Sequence, residues 1–509
     1  MNKLILKNSF STTSAFVVTA VVTFFITPIV VHGLGKELYG IWVLVIGLTG
    51  YMGLLDFGMR TSIVKYVSEY YGRKDFTRLN TMGSTAITLF VAVGLLCWIV
   101  AAALSFFIRD IFNLESAGQI NFLHLFIIIG ADVFLTFSLM IYQGSLAGFQ
   151  RYDLSVRNGL AAFAIRSVLI VLLLRLGYGI ISISIAVLVA NAAGYLMNFK
   201  SCKVICPKLS YSVGQFSQDE FHVLWQYSWK SFVTNISDRL VYYSDSIIIG
   251  IFLTPEHITI YAIASSLIIY LRQLVLSVAG VLVPAVSSAD ADGDVQQVQK
   301  IVISGSKLIL FVLVPVSVVL FILGNDFIRL WMGPGFDESY RILVILLVSQ
   351  FLVLAQYGVT LVLYGLAKHE ILARVNMAVA VSNIILSVIL VPYLGLVGVA
   401  IGSAVPMCLL RLFFIPRRVF TAIEMKFSYF FSHVIVPLCL VCVLYSIVLL
   451  VLKFEIGSEN WLRFIITLIL SMVAYGMIFY FIGLNRQERN RVWNTLRAGM
   501  KHKAGMPVL

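Results

Sequence analysis

Residues 37–58 read ELYGIWVLVIGLTGYMGLLDFG, an apolar run bounded by Glu37 and Asp56. Such a run is long enough to cross the hydrocarbon core of a bilayer, which takes roughly 20 residues. Runs like it recur along the whole 509-residue chain; we read about fourteen, the first at 12–32 and the last at 461–483. Hydrophobic residues make up 60% and charged residues 12%, against about 45–50% and ~25% in soluble domains. Mean hydropathy is +0.96. That much apolar surface cannot be hidden inside ordinary globules, which excludes a soluble enzyme. The expected fold is an all-α polytopic membrane protein.

The formal net charge is +13. No basic cluster interleaves with aromatics outside the apolar runs, so nucleic acid is excluded as a partner. The excess has a topological reading instead. With the N-terminus on the cytoplasmic side, 24 of the 37 Lys and Arg fall in inner connections and 7 in outer ones. Such a bias places both termini inside. The stretch Thr12 to His32 is too long for a signal-peptide core and is read as a retained first helix. The six cysteines form no framework, and neither a disulfide nor a metal site is expected.

The chain repeats itself. Glu37-Leu38-Tyr39-Gly40-Ile41-Trp42 is matched by Glu256-His257-Ile258-Thr259-Ile260-Tyr261 at an offset of 219, which also carries Asp75 to Asp294. Gly148-Phe149-Gln150-Arg151 is matched by Gly365-Leu366-Ala367-Lys368 at an offset of 217. A near-constant offset at matched positions implies two six-helix, pseudo-symmetric bundles related by an axis along the membrane normal. We divide the chain into an N-terminal lobe at 1–200, a cytoplasmic linker at 201–227 and a C-terminal lobe at 228–425. Two extra helices follow at 426–484, then a basic tail at 485–509.

Enzyme signatures are missing. Gly35-Lys36 is followed by Glu37, so there is no nucleotide-binding loop. The seven histidines are scattered, and no loop outside the membrane is large enough to hold a sugar-transferring site. No cofactor and no catalytic residue are expected. What remains is the set of ionisable and polar residues inside spans, where a charge costs at least ~2.5–3.5 kcal/mol on insertion scales and usually faces a polar interior. In the seventh span Asn235, Asp238, Tyr242 and Asp245 share one helix face, with Arg239 beside them. Arg272 follows in the eighth. The first half offers Asp132 and Gln143 in the fourth span and Arg166 in the fifth. Arg239, Arg272, Arg166, Asn235 and Tyr242 are the candidate cavity residues. Asp132, Asp238, Asp245 and Asp56 are candidate coupling-ion or structural carboxylates. Asp238–Arg239 or Asp132–Arg166 could equally be structural pairs, and Asp56 with Arg60 a structural joint. Thr23 and Thr27 stack ahead of Pro28, which marks a gate. Lys307 is read as snorkelling to the surface.

Two six-helix halves, two added helices, Leu55-Asp56-Phe57-Gly58, Gly148-Phe149-Gln150-Arg151-Tyr152 and Tyr243-Ser244-Asp245-Ser246-Ile247-Ile248-Ile249-Gly250 resemble the polysaccharide transporter family. It belongs to the multidrug/oligosaccharidyl-lipid/polysaccharide superfamily and includes O-antigen flippases. The resemblance implies a central cationic cavity and alternating access. It implies transport of an undecaprenyl-pyrophosphate-linked O-antigen, capsule or exopolysaccharide unit across a bacterial cytoplasmic (inner) membrane, as in lipopolysaccharide assembly. The expected partners are the lipid-linked oligosaccharide, the bilayer, and a polysaccharide polymerase with its chain-length machinery. A cation-coupled multidrug antiporter of the same superfamily, or a membrane polymerase or ligase, is the alternative. Arginine suits a pyrophosphate because its fork donates paired hydrogen bonds.

Overall fold

The computed structural model describes residues 2–112, 114, 120–280, 282–366, 368–490 and 493. Within its helices, the side chains of 2–13, 16, 230, 231, 233–235, 237, 238, 241, 242 and 369 lie outside the description.

In chain order the helices are α1 (Asn2–Met52), α2 (Met59–Gly72), α3 (Phe76–Ile111), α4 (Phe122–Gly148), α5 (Tyr152–Arg175), α6 (Gly179–Ile205) and α7 (Gln218–Phe252). They continue as α8 (Pro255–Ala279), α9 (Leu282–Ala291), α10 (Val295–Met332), α11 (Asp337–Ala355), α12 (Tyr357–Gly365), α13 (His369–Leu394) and α14 (Leu396–Ala422). The chain ends in α15 (Phe427–Phe430), α16 (Val436–Ile456) and α17 (Trp461–Ile478). No strand occurs among the described residues, as expected of a chain whose backbone must satisfy itself in lipid.

Twelve helices among the described residues are long and apolar enough to cross a membrane, against the fourteen read from sequence. The difference has two causes. The first two runs form one element, residues 17–56, broken only at Gly35 (φ 80°, ψ 166°), a conformation open to glycine alone. The seventh run lies in α7, which is 35 residues long but whose described apolar part is only Tyr243–Phe252.

The duplication is written in the backbone. Lys74 and Gly293, 219 apart, both take positive φ (59° and 68°). Asp75 and Asp294 then cap α3 and α10 alike, accepting from the N–H groups of Arg78 (3.0 Å) and Gln297 (2.8 Å). Helix starts at 152 and 369, and at 179 and 396, keep the second offset of 217.

The chain packs as two compact units, residues 1–262 with 376–402, and residues 263–375 with 403–509. The second is built on α10, against which α11 and α16 pack. Here Lys307, far from snorkelling, forms a largely buried ion pair with Glu488 at 2.8 Å. In the first unit α3, α4, α5 and α6 form the body, and α7 lies against α1 and α2.

Small residues let that last seam close. A Cβ at Gly47 would meet the Ser246 hydroxyl at 2.7 Å and one at Gly50 the Tyr243 ring at 2.8 Å, the close approach that small residues permit between membrane helices. At one end the Ser62 and Ser228 hydroxyls share a hydrogen bond of 2.7 Å, and the Tyr70 hydroxyl donates to Glu220 at 3.3 Å. Beyond the end of α7, the Pro255 carbonyl at the start of α8 stands where a Cβ of residue 40 would go, and the Thr259 hydroxyl of α8 donates to the Lys36 carbonyl. Lys36 and Pro255, like Gly40 and Thr259, are repeat equivalents, so the contact is reciprocal, as across a two-fold axis.

Gly40→Ala should therefore lower the melting temperature of the purified protein by several degrees, the cost of overpacking being about 1–3 kcal/mol. Gly476→Ala, where an added Cβ meets nothing, should leave it unchanged. Burial raises the Glu220 carboxyl above its usual range, against the opposing donation from Tyr70. The protonated form is thus the one the fold favours: the contribution of Glu220 to stability is fully present at low pH and is lost as pH rises through its folded pKa. Glu220→Gln should flatten that fall in thermal melts across the carboxylate range.

Candidate functional site

The first unit holds two cavities that share walls from α1, α5 and α6. The first, ≈ 310 Å³, is walled by Thr19 of α1, Gln143 of α4, Ser155 of α5 and Asn191, Tyr195 and Asn198 of α6. The second, ≈ 240 Å³, is walled by Thr23, Thr27, Tyr39 and Trp42 of α1, with apolar neighbours. Phe163 and Arg166 of α5 line both. They stand where the two cavities meet.

The threonine stripe faces these spaces because residues four apart share a helix face. Thr19 and Thr27 turn their hydroxyls back to the carbonyls of Ala15 (2.9 Å) and Thr23 (2.7 Å), so no polar hydrogen is stranded in lipid. Pro28 lies inside α1 next to that bond.

Arg166 holds its guanidinium carbon 5.2 Å from the Phe163 ring centre. The charge of Asp132 acts on it, yet no ion pair or hydrogen bond from the Arg166 N–H groups to protein is found among the described residues. Asp132 is occupied elsewhere, accepting from the Asn191 side-chain amide at 2.8 Å. Of the two pairings left open by sequence, Asp132–Arg166 is thus electrostatic without contact.

Arg239 is differently placed. Its guanidinium donates to the Tyr243 hydroxyl (3.2 Å) and the Gly50 carbonyl (3.5 Å), and the Asp56 charge reaches it. Asp56 itself accepts from the Gly58 N–H at 2.8 Å, in the turn between α1 and α2. Asp245 accepts from the Tyr261 hydroxyl at 2.6 Å. Arg272 is half-buried on α8, belongs to the second unit and is engaged by neighbours. Asn235, Asp238 and Tyr242 lie outside the described side chains.

Sequence reasoning passed over Asn191, Tyr195 and Asn198. Their spacing of four and then three along the sixth run puts them on one face, a signal present in the sequence. Asn158, 2% exposed, donates to Asn198 (3.0 Å) and Ser201 (3.1 Å) and ties α5 to α6 behind the first cavity. Among the described residues no group of three or more His, Cys, Asp or Glu could hold a metal ion.

Among known proteins, the sequence pattern of the family described as polysaccharide biosynthesis protein matches residues 29–341. The uncharacterized membrane protein EpsK of Bacillus subtilis is 23% identical over 489 residues, 95% of this chain and 96% of that one. A Shigella flexneri protein that carries the name O-antigen transporter is 20% identical over 415 residues, 79% of this chain and 94% of the other. The lipid II flippase MurJ, in an inward closed conformation, shares the fold with a TM-score of 0.72, at 19% identity over 92% of this chain and 98% of MurJ. With its all-helical duplicated halves and the family pattern spanning most of both, the chain belongs to the polysaccharide biosynthesis protein family.

Proposed function

We propose that this protein is a flippase that carries an undecaprenyl-pyrophosphate-linked oligosaccharide, such as an O-antigen unit, from the inner to the outer leaflet of a bacterial cytoplasmic membrane. Both termini lie in the cytoplasm, and the lobes at 1–200 and 228–425 alternate in access. The observation that carries this reading is Arg166: a guanidinium between two cavities, within a membrane span, with no acceptor among the described residues. A charge so placed is costly unless an anion joins it, and a phosphate accepts its paired N–H groups well.

The same residue counts against a cationic drug as the cargo, since like charges repel at close range in a low dielectric. Family membership and a relative bearing the name of O-antigen transporter support the choice. Arg272 is the second cavity cation in this reading, Asp132 and Asp245 are the coupling carboxylates, and Thr23, Thr27 and Pro28 form the gate. Arg239 we assign to holding α7 on α1, because its hydrogen bonds are already made. A polysaccharide polymerase would take up the product on the outer side.

Reconstitution in liposomes with lipid-linked sugars, scoring access to the outer leaflet, separates these roles. Arg166→Ala should lower transport by about tenfold or more, each tenfold being ~1.4 kcal/mol, with Arg166→Lys retaining part and neither lowering the melting temperature. Arg272→Ala should abolish transport while expression and insertion persist. Arg239→Met should instead lower the melting temperature, because it strips a partner from Gly50 and Tyr243. Unchanged transport by Arg166→Ala would remove this residue from the substrate path.

A further inference from the structure

We propose that the first cavity seats one sugar residue of the carried glycan, read by Gln143, Ser155 and Asn198. The inference rests on the flippase reading and names which part of the cargo enters the N-terminal unit.

The case begins with unused hydrogen-bonding capacity. The Asn198 carbonyl oxygen accepts from Asn158, which leaves its two amide hydrogens for the cavity. Asn191 donates to Asp132, which leaves its carbonyl oxygen. The Gln143 and Ser155 side chains have no hydrogen-bond partner among the described residues, and none of these atoms is sealed away from the cavity. Several donors and acceptors left open around one space suit a polar occupant, because an apolar one would cut them off from water at about 1–3 kcal/mol each.

The kind of occupant follows from the donor set. Each amide offers both a donor and an acceptor, as does each hydroxyl of a pyranose ring. A metal cation would find no carboxylate in the lining and would face Arg166. A lipid tail would leave every amide unpaired. At ≈ 310 Å³ the space lies near the lower edge of the roughly 300–1,000 Å³ of small-molecule pockets. It takes one ring and not a repeat unit.

A comparison within the chain separates fold from function here. The offset of 217 carries Ser155 to Leu372, Asn191 to Cys408, Tyr195 to Leu412 and Asn198 to Ile415. The second half builds its α13 and α14 from the same joints with apolar residues at these places. The polar lining is therefore no requirement of the helix pair. At these four places the polar side chains belong to one half only, as those of a cargo site would, whereas Gln143 and Arg166 have polar counterparts in Thr360 and Asn383.

The test uses Gly159→Cys in the full chain. Gly159 lines the cavity, and a Cβ there meets nothing within 4 Å, so the variant should fold, and its transport of each carrier is measured beside its labelling. Its rate of labelling by N-ethylmaleimide, over the wild-type background, reports occupancy. The probes are bare undecaprenyl pyrophosphate and the same carrier bearing glucose, galactose or N-acetylglucosamine. At least one glycosylated carrier should slow labelling by about tenfold or more, as expected of a site that pairs with hydroxyls, while the bare carrier should not. Adding Gln143→Leu, or the isosteric Gln143→Glu should the first fail to fold, should remove the protection. Equal protection by the bare carrier would overturn the proposal, as would protection that survives both Gln143 variants. Transport of the glycosylated carriers without any protection would overturn it while leaving the flippase reading intact. Neither protection nor transport of any carrier would bring down both.

Discussion

Hydrocarbon offers no hydrogen bonds, and from that constraint the architecture follows. Every backbone group must be paired within its own segment, so the described residues of the chain form helices. Side-chain hydroxyls meet the same demand by turning back on the helix: Thr19, Thr27, Thr49 and Ser138 each bond the carbonyl four residues earlier. Longer polar side chains pair across helices, as Asn191 does with Asp132 and Lys307 with Glu488. Breaking a buried pair of the latter kind leaves an uncompensated charge at a cost of about 3–5 kcal/mol. Single buried polar atoms without a partner occur elsewhere, as at Ser306 and Ser317, but Arg166, Gln143 and Ser155 gather around one space.

Association of the helices then depends on shape, because lipid tails are as apolar as leucine and give no hydrophobic drive between helices. The seam of α1 and α2 with α7 shows how shape is obtained. Gly47 and Gly50 stand where a side chain would collide with α7, and Gly40 where one would collide with the start of α8. The serine pair at 62 and 228 adds a hydrogen bond between two side chains small enough not to hold the helices apart. The glycines that look like weak points in a helix are what allow the two backbones to meet.

Much of this was legible beforehand. Apolar run length gave the class of protein, and a modest set of matched residues gave the duplication, which the paired caps at Asp75 and Asp294 bear out in geometry. The number of spans was harder to read. A single glycine, Gly35, both joins and divides the first two runs, and α7 carries enough polar residues to fall below the apolar measure of the others. Lys307 was misread because its partner, Glu488, lies in a tail 181 residues away, and no periodicity links them. The cavity was half visible. Arg166 and Gln143 stood out as polar residues in spans, but the amides of α6 acquire meaning only when α5 and α4 are seen to face them. Which charges touch is a tertiary fact.

Duplication gives the site its sharpest internal control. Both halves inherit the joints that a helix bundle needs, and these have stayed alike down to hydrogen bonds: Asp75 N–H to the Tyr70 carbonyl at 2.9 Å, Asp294 N–H to the Ala289 carbonyl at 3.0 Å. The interior of α5 and α6 has not stayed like that of α13 and α14. The offset of 217 takes Arg166 to Asn383, which is 1% exposed and accepts from the Ser244 hydroxyl at 3.2 Å. At one position of the fold, then, one half places a neutral side chain whose oxygen is satisfied by a neighbouring helix. The other places a permanent charge whose N–H groups meet open space. Packing alone would favour the first solution in both, since an unpaired guanidinium within a span is a standing cost. That cost is balanced only when something arrives to accept those hydrogens, and so the asymmetry between two otherwise matched halves locates the part of the protein that answers to cargo rather than to folding.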